Sequence, residues 1–477
     1  MTIPAWGLIP FVLMLLSIAI FPLVPPLASW WERPRNQLII ALVLGIPVAL
    51  WMIRAGAPGL VVHAGFEYFQ FISLLLALFI VSGGIHLRGD IEASPQNNTL
   101  FLAIGGVIAS FIGTTGAAML LIRPILKTNS ERRYVAHTVI FAIFIVANCG
   151  GLLTPLGDPP LFLGMLRGVP FTWTFGLFIE WFTVLAVLLL TYNTLDHKMR
   201  RLEDPAAVEL DKTQQEPIRI DGGLNFVFFG VIIIAVAIAP SVDLHAIEAG
   251  TAGWLDYVPV RELLMYAAAG CSLAFGSKRV RYELNKFVWD PILEVAAIFI
   301  GIFLTMIPAL QYLEGLAPKL PLNEITFFWV TGGLSSFLDN APTYATFYSI
   351  AGQLPGEPRI GFDPGVPELY LVAISLGAVF FGAMTYIGNG PNFMVKSVAE
   401  SAGVDMPSFG GYIKWSCIYL LPVLVAVCGI FVAQSLAWHI VGWAVLVVLV
   451  ARAFLVGRQV KRAGYSENRP LSSSRSI

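Results

Sequence analysis

The residues best able to do chemistry in this chain fall in four short runs, each set inside a long apolar stretch. Thr154-Pro155-Leu156-Gly157-Asp158-Pro159-Pro160 and Thr385-Tyr386-Ile387-Gly388-Asn389-Gly390-Pro391-Asn392 cannot stay helical. Each proline removes an amide donor and crowds the turn before it, while glycine adds freedom. Gly113-Thr114-Thr115-Gly116 and Asp339-Asn340-Ala341-Pro342-Thr343 interrupt two other apolar stretches. A carboxylate in such surroundings must pair, bind a cation or hold a proton, so Asp158 and Asp339 are candidate ion-binding groups. With the hydroxyl and amide oxygens of Thr114, Thr115, Asn148, Thr154, Asn340, Thr343, Thr385, Asn389 and Asn392 they supply hard oxygen ligands, suited to a hard cation such as sodium. At the breaks around Gly157 and Gly388, freed carbonyls would face a cation and freed amides an anion.

The elements that position these residues follow from composition. Of 477 residues, 57% are hydrophobic and 12% charged, against roughly 25% charged in soluble domains, so the bilayer is the expected solvent. Ten-residue alternating patterns are absent, which excludes a β-barrel. Spans are predicted at 6–25, 36–54, 67–86, 135–167, 171–193, 223–241, 259–276, 290–312, 367–400, 411–434 and 436–455. The stretches 99–122 and 324–352 read as re-entrant hairpins. The expected fold is an all-α integral membrane protein with about eleven transmembrane helices and two hairpins.

The positive-inside rule supports the hairpins, because a segment that returns to its own side changes the parity of every later loop. With both re-entrant, one side collects Arg33, Arg88, Arg123, Lys127, Arg132, Lys198, Arg200, Lys212, Lys278, Lys286 and the tail from Arg452. The other keeps chiefly Arg54, Arg167, Arg261, Lys319 and Arg359. The N-terminus is therefore expected outside and the C-terminus in the cytoplasm of a cell inner (plasma) membrane.

Thr114 and Asp339 lie 225 residues apart and Thr154 and Thr385 lie 231 apart, which indicates an internal repeat. The halves begin on opposite sides of the membrane, so the repeat is inverted. The resulting division is 1–60, N-terminal scaffold helices; 61–195, repeat 1; 196–222, a polar cytoplasmic linker; 223–435, repeat 2 with its preceding helices; and 436–477, the last helix and a basic tail.

Other residues take quieter roles. Cys149, Cys271, Cys417 and Cys428 match neither a disulfide framework nor a zinc motif and are expected to pack. Glu67, Glu180, Glu294 and Glu400 are expected near helix ends, and His137 and Lys396 beside the broken helices. Trp181 is one of several tryptophans expected as interface anchors. No phosphate-binding Gly-x-x-x-x-Gly-Lys-[Ser/Thr] occurs, which leaves an ion gradient as energy source, and no nucleic-acid-binding patch is present. No enzymatic role, cofactor or channel activity is expected.

The order of hairpin, broken helix, linker, hairpin and broken helix resembles the ion transporter superfamily over about residues 60 to 435. Asn148-Cys149-Gly150-Gly151 leading to Thr154-Pro155-Leu156-Gly157-Asp158, with Asp339-Asn340-Ala341-Pro342, is most similar to its D-type sodium/proton antiporters and the neighbouring citrate transporters. The resemblance implies a homodimer, a scaffold, and an elevator-like transport domain made of hairpins and broken helices. Carboxylate symporters of the superfamily carry Ser-Asn-Thr at both tips and Gly-Thr-Pro-Pro-Asn at the breaks. Here aspartate stands at two such places and would repel a di- or tricarboxylate. The leading expectation is a sodium/proton antiporter in which cation and proton compete at the aspartates. The alternative is a sodium-coupled symporter of citrate or another small organic anion. The orientation is open to test: a single cysteine replacing Lys212 should react with an impermeant maleimide only in inside-out vesicles.

Overall fold

Long apolar runs become helices in a bilayer because only an intrasegment hydrogen-bond ladder satisfies every backbone group there. The computed structural model describes residues 3–462 apart from Glu32, Gln214, Ala249, Asp363 and Pro364; the end of the expected basic tail lies outside them. Among the described residues, seven helical stretches are long and apolar enough to cross a membrane: Pro34–Arg54, Pro58–Ser82, Ala136–Leu153, Phe171–Arg200, Asp290–Lys319, Phe409–Val432 and Leu436–Arg458. Shorter apolar helices cover Ala5–Ile20, Leu224–Ile238 and Glu368–Met384. A further helix, Val260–Phe275, occupies the predicted span at 259–276. The chain is a mainly helical, multi-pass membrane protein.

Both interrupted stretches fold back on themselves. The first hairpin descends through Pro95–Ile112, capped by Ser94 Oγ on the Asn97 amide at 3.2 Å, and returns through Thr114–Thr128. Gly113 turns the tip at φ 82°, a conformation that excludes most side chains. The second runs through Glu324–Ser335 and Asn340–Gly352, with the Asp339 carboxylate capping the Ala341 amide at 3.1 Å. The broken helices form where prolines and glycines predict: Ala136–Ile145, a short turn at Cys149–Leu153, then Pro159–Leu166; and Glu368–Phe381, a turn at Gly382–Met384, then Gly390–Ser401.

Burial locates the centre. The stretch Ala136–Leu153 is 94% buried, whereas Leu436–Arg458 at the periphery is only 11% buried. The first broken helix is thus sheathed by protein, which is where irregular backbone is tolerable at membrane depth.

Three sequence expectations need correction. The helix predicted at 67–86 starts at Pro58, so Glu67 sits well inside it and pairs with Arg167 at 3.2 Å instead of reaching a helix end. Proline at the first helical turn explains the early start, since its missing amide would have been unpaired there anyway. The linker is not structureless: the preceding helix runs on to Arg200, Pro205–Thr213 is helical, and Glu216–Asp221 pairs antiparallel with His86–Asp90. Asp211 binds the Ala93 amide through both oxygens, at 3.1 and 3.0 Å, tying this segment to the foot of the first hairpin. Trp181 is no interface anchor; it is buried and donates to the Gly150 carbonyl at 3.2 Å. His137 lies inside the first broken helix, as expected, and pairs with Asp196 at 2.8 Å, beside the bidentate Arg132–Asp196 pair at 2.6 and 3.1 Å. Lys396 likewise pairs with Glu400 on the second broken helix.

The breaks are packed backbone to backbone. A Cβ added at Gly157 would lie 2.1 Å from the Gly151 carbonyl oxygen, and one at Gly388 2.6 Å from that of Gly382. At Gly410 a Cβ would meet open space. Gly157→Ala should therefore sharply lower the yield of folded, monodisperse protein, and Gly410→Ala should leave it unchanged; size-exclusion chromatography of the two variants checks this.

Candidate functional site

The four runs converge, and they converge on Asp158. This residue sits at the start of Pro159–Leu166 with extended backbone and is 1% exposed. Its Oδ1 accepts from Thr114 Oγ1 of the first hairpin tip at 3.3 Å and from Asn389 Nδ2 of the second break at 3.4 Å. Its Oδ2 accepts from Asn340 Nδ2 of the second hairpin tip at 2.6 Å. Three donors from three other segments thus surround one buried carboxylate. Asn389 continues outward, donating to Asn148 Oδ1 at 3.1 Å, and Asn148 Nδ2 donates to Asn392 Oδ1 at 2.7 Å. Asn392 in turn donates to the carbonyls of Gly382 and Thr385 at 2.7 and 2.9 Å.

Six of the predicted residues therefore form one network: Thr114, Asn148, Asp158, Asn340, Asn389 and Asn392. The others are placed differently. Asp339 lies close enough for its charge to act on Asp158, yet its hydrogen bond goes to the Ala341 amide at its own helix start. Thr343 donates to the Asp339 carbonyl at 3.0 Å. Thr115 faces a neighbouring cavity. Thr154 and Thr385 act as clamps: their hydroxyls donate to the carbonyls of Ser110 and Ser336 and accept from the amides of Leu156 and Ile387 at 3.1 and 3.2 Å. Gly157 and Gly388 provide close approach. The expectation that the breaks leave carbonyls free fails at several positions. Gly157 O takes the Thr114 amide at 2.8 Å, and Ser336, Gly382 and Thr385 are bonded as described. Unpaired carbonyls away from water are too costly to leave when a neighbouring donor can reach them.

Two serines escaped sequence reasoning. Ser110 Oγ donates to Gly150 O and accepts from the Leu153 amide at 3.1 Å, so the middle of the first hairpin holds the first break in shape. Ser335 Oγ donates to Ala378 O at 2.7 Å at the corresponding place in the second half. The signal was available: these serines are 225 residues apart, the offset already seen between the hairpin tips.

One buried polar atom of this network has no hydrogen-bond partner among the described residues. Asn340 is fully buried and its Nδ2 is spent on Asp158, but its Oδ1 meets no donor. A buried acceptor without a donor is unfavourable, and a cation seated between that oxygen and the Asp158 carboxylate would relieve it. The oxygens a hard cation could take here are the Asp158 carboxylate, the Thr114 hydroxyl and Asn340 Oδ1, while the amide nitrogens of Asn340 and Asn389 hold the carboxylate in place.

The comparisons agree in kind. Residues 1–432 match a family of proteins described as "Putative citrate transport". This chain belongs to that family. Among its relatives are an uncharacterized transporter of Mycobacterium tuberculosis, 25% identical over 356 residues that span 70% of this chain and 79% of that protein, and a 46 kDa membrane protein of Mycobacterium leprae, 23% identical over 386 residues, or 76% and 85%. The P protein of Mus musculus is 29% identical over 172 residues, covering 34% of this chain and 20% of its own length.

Asn340→Ala should remove the shortest bond to Asp158. Loss of a hydrogen bond to a charged group costs about 1.5–3 kcal/mol, so the detergent-solubilised variant should melt several degrees lower than wild type, as read by differential scanning fluorimetry.

Proposed function

We propose that this member of the family is a secondary active transporter, and that it exchanges sodium for protons at Asp158. The observation that carries the proposal is the convergence of four separate segments on one buried carboxylate, next to an amide oxygen that lacks a donor. A buried carboxylate is stable when it holds either a cation or a proton, and it cannot hold both at once. That competition couples the two fluxes. The empty, charged site is held back by its desolvation penalty, so only a loaded site crosses.

The division of the fold supports an alternating-access mechanism. Clamp, close-approach glycine and half-helix recur in both halves: Ser110, Thr154 and Asp158 in one, Ser335 and Ser336, Thr385 and Asn389 in the other. With the charge asymmetry of the loops, this recurrence favours two inverted repeats, an outward N-terminus and a cytoplasmic C-terminus in the plasma membrane. In this proposal hairpins and broken helices move as one body against the helices Pro34–Arg54, Pro58–Ser82 and Asp290–Leu316, in a homodimer.

A second reading has one observation behind it, the family's description in terms of citrate. In that case sodium would bind at Asp158 and a small organic anion beside it. Proteoliposomes separate the two: sodium or lithium should collapse an imposed pH gradient, and labelled citrate uptake is measured in the same preparation. Sodium-dependent citrate uptake without gradient collapse decides for symport.

Asp158→Asn should abolish sodium-driven proton movement in a folded protein; exchange at the wild-type rate would overturn the proposal. Asparagine is as good a helix cap as aspartate, so Asp339→Asn should stay folded, and a fall of tenfold or more in rate counts Asp339 in the cation site. The apparent affinity for sodium should weaken as pH falls, because protons occupy the same carboxylate; an affinity independent of pH contradicts competition.

A further inference from the structure

Beside the network lies a cavity of about 320 Å³, within the range of roughly 300–1,000 Å³ that small-molecule sites occupy. Its inner end is formed by the first hairpin tip, Gly157 and Gly390. Its wall is apolar, supplied by residues such as Leu74, Leu78, Phe79, Met119, Phe162 and Val295. Its charged lining residues are two cations, Arg123 and Lys286, and no carboxylate is among the lining residues. Arg123 stands nine residues beyond Thr114 on the same helix, roughly 13 Å from the tip at 1.5 Å per residue. Its Nη1 donates to the Leu284 carbonyl at 3.0 Å, which stations the guanidinium next to Lys286, a residue exposed on backbone with φ 48°.

An apolar chamber with cations and no acid suits a ligand with an apolar body and one negative charge. It suits a tricarboxylate less well, because its two cations, Arg123 and Lys286, are its only charged lining residues and further carboxylates would lie along the apolar wall. We propose that this chamber binds a monocarboxylate with an alkyl or aryl body, its carboxylate between Arg123 and Lys286 and its body extending toward Thr115. The walls come from both parts of the fold: Leu74–Ser82 and Pro291–Val295 on one side, and the first hairpin with Phe162 and Met394 on the other. A ligand in the chamber therefore opposes any relative movement of the two parts. It acts as an inhibitor of exchange; this consequence rests on the alternating-access reading above, while the binding site itself does not.

The test uses the full chain in nanodiscs of zwitterionic lipid, with radiolabelled decanoate as probe and decanol as its uncharged counterpart. Decanoate should bind saturably and at least tenfold more tightly than decanol. Arg123→Gln, which removes the charge and keeps a polar side chain, should remove that preference, and Val295→Trp should weaken both ligands by filling the chamber. Equal binding of decanoate and decanol, or binding untouched by both variants, would overturn the proposal, as would displacement of decanoate by an anionic phospholipid, which would make this a lipid site. In proteoliposomes decanoate should slow sodium-driven exchange in wild type but not in Arg123→Gln. Binding without any exchange would sink the transport reading alone, and exchange without binding would sink this inference alone.

Discussion

The structure depends on the need to hold one carboxylate, Asp158, away from water. A charge in a low-dielectric interior is stable only with several aimed donors or a counter-ion. No single helix can supply them, because within a helix the backbone amides are already used. The chain answers by interrupting four helices at one place, so that two hairpin tips and the second break deliver Thr114, Asn340 and Asn389 to the same oxygens. Every break exposes backbone that must be satisfied in turn. Hence the clamps from Thr154 and Thr385, the hydroxyl of Ser110, and the glycines whose missing side chains let strands of backbone touch.

The two halves do this with the same parts but not the same charge. Asp158 and Asn389 both begin the half-helix after a break, with matching extended backbone, and they touch each other across the centre. One position carries a carboxylate and its counterpart an amide. Similarly, Asp339 stands before the returning helix of the second hairpin as Gly113 does in the first, one residue off the 225-residue offset, and one caps its helix through a side chain while the other turns through a positive φ. The aspartates thus occupy non-equivalent places in the two halves. In the proposed exchange this leaves one carboxylate at the centre, at Asp158, in place of a symmetric pair, so that a single cation and a proton are alternatives there.

Away from the centre, ionic contacts tie the irregular segments to regular ones. Arg132, His137 and Asp196 lock the turn between the first hairpin and the first broken helix, and Arg167 joins the far end of that broken helix to Glu67. Such buried pairs contribute specificity of arrangement more than net stability. The apolar chamber beside the tip is walled by both parts of the fold, so in the proposed alternating-access reading its occupancy and the movement of its walls are linked.

Much of this was legible in the residues alone. Apolar length located nearly every helix, because a bilayer permits no other backbone solution, and proline with glycine located both breaks, because neither can continue a hydrogen-bonded ladder. The four runs that meet at the centre were each visible from composition and from their recurring offset. What the linear chain could not show was which oxygens remain available. Thr154, Thr385 and Thr343 have the same chemistry as Thr114, yet their hydroxyls are consumed by nearby carbonyls, and that depends on which backbone groups lie within 3 Å after folding. The roles of Glu67, His137 and Trp181 likewise came from partners 100, 59 and 31 residues away. Sequence determined that the helices must break and that carboxylates stand at the breaks; only tertiary packing decided that Asp158 receives the donors of all the others, because contact between distant segments is set by the fold and not by spacing.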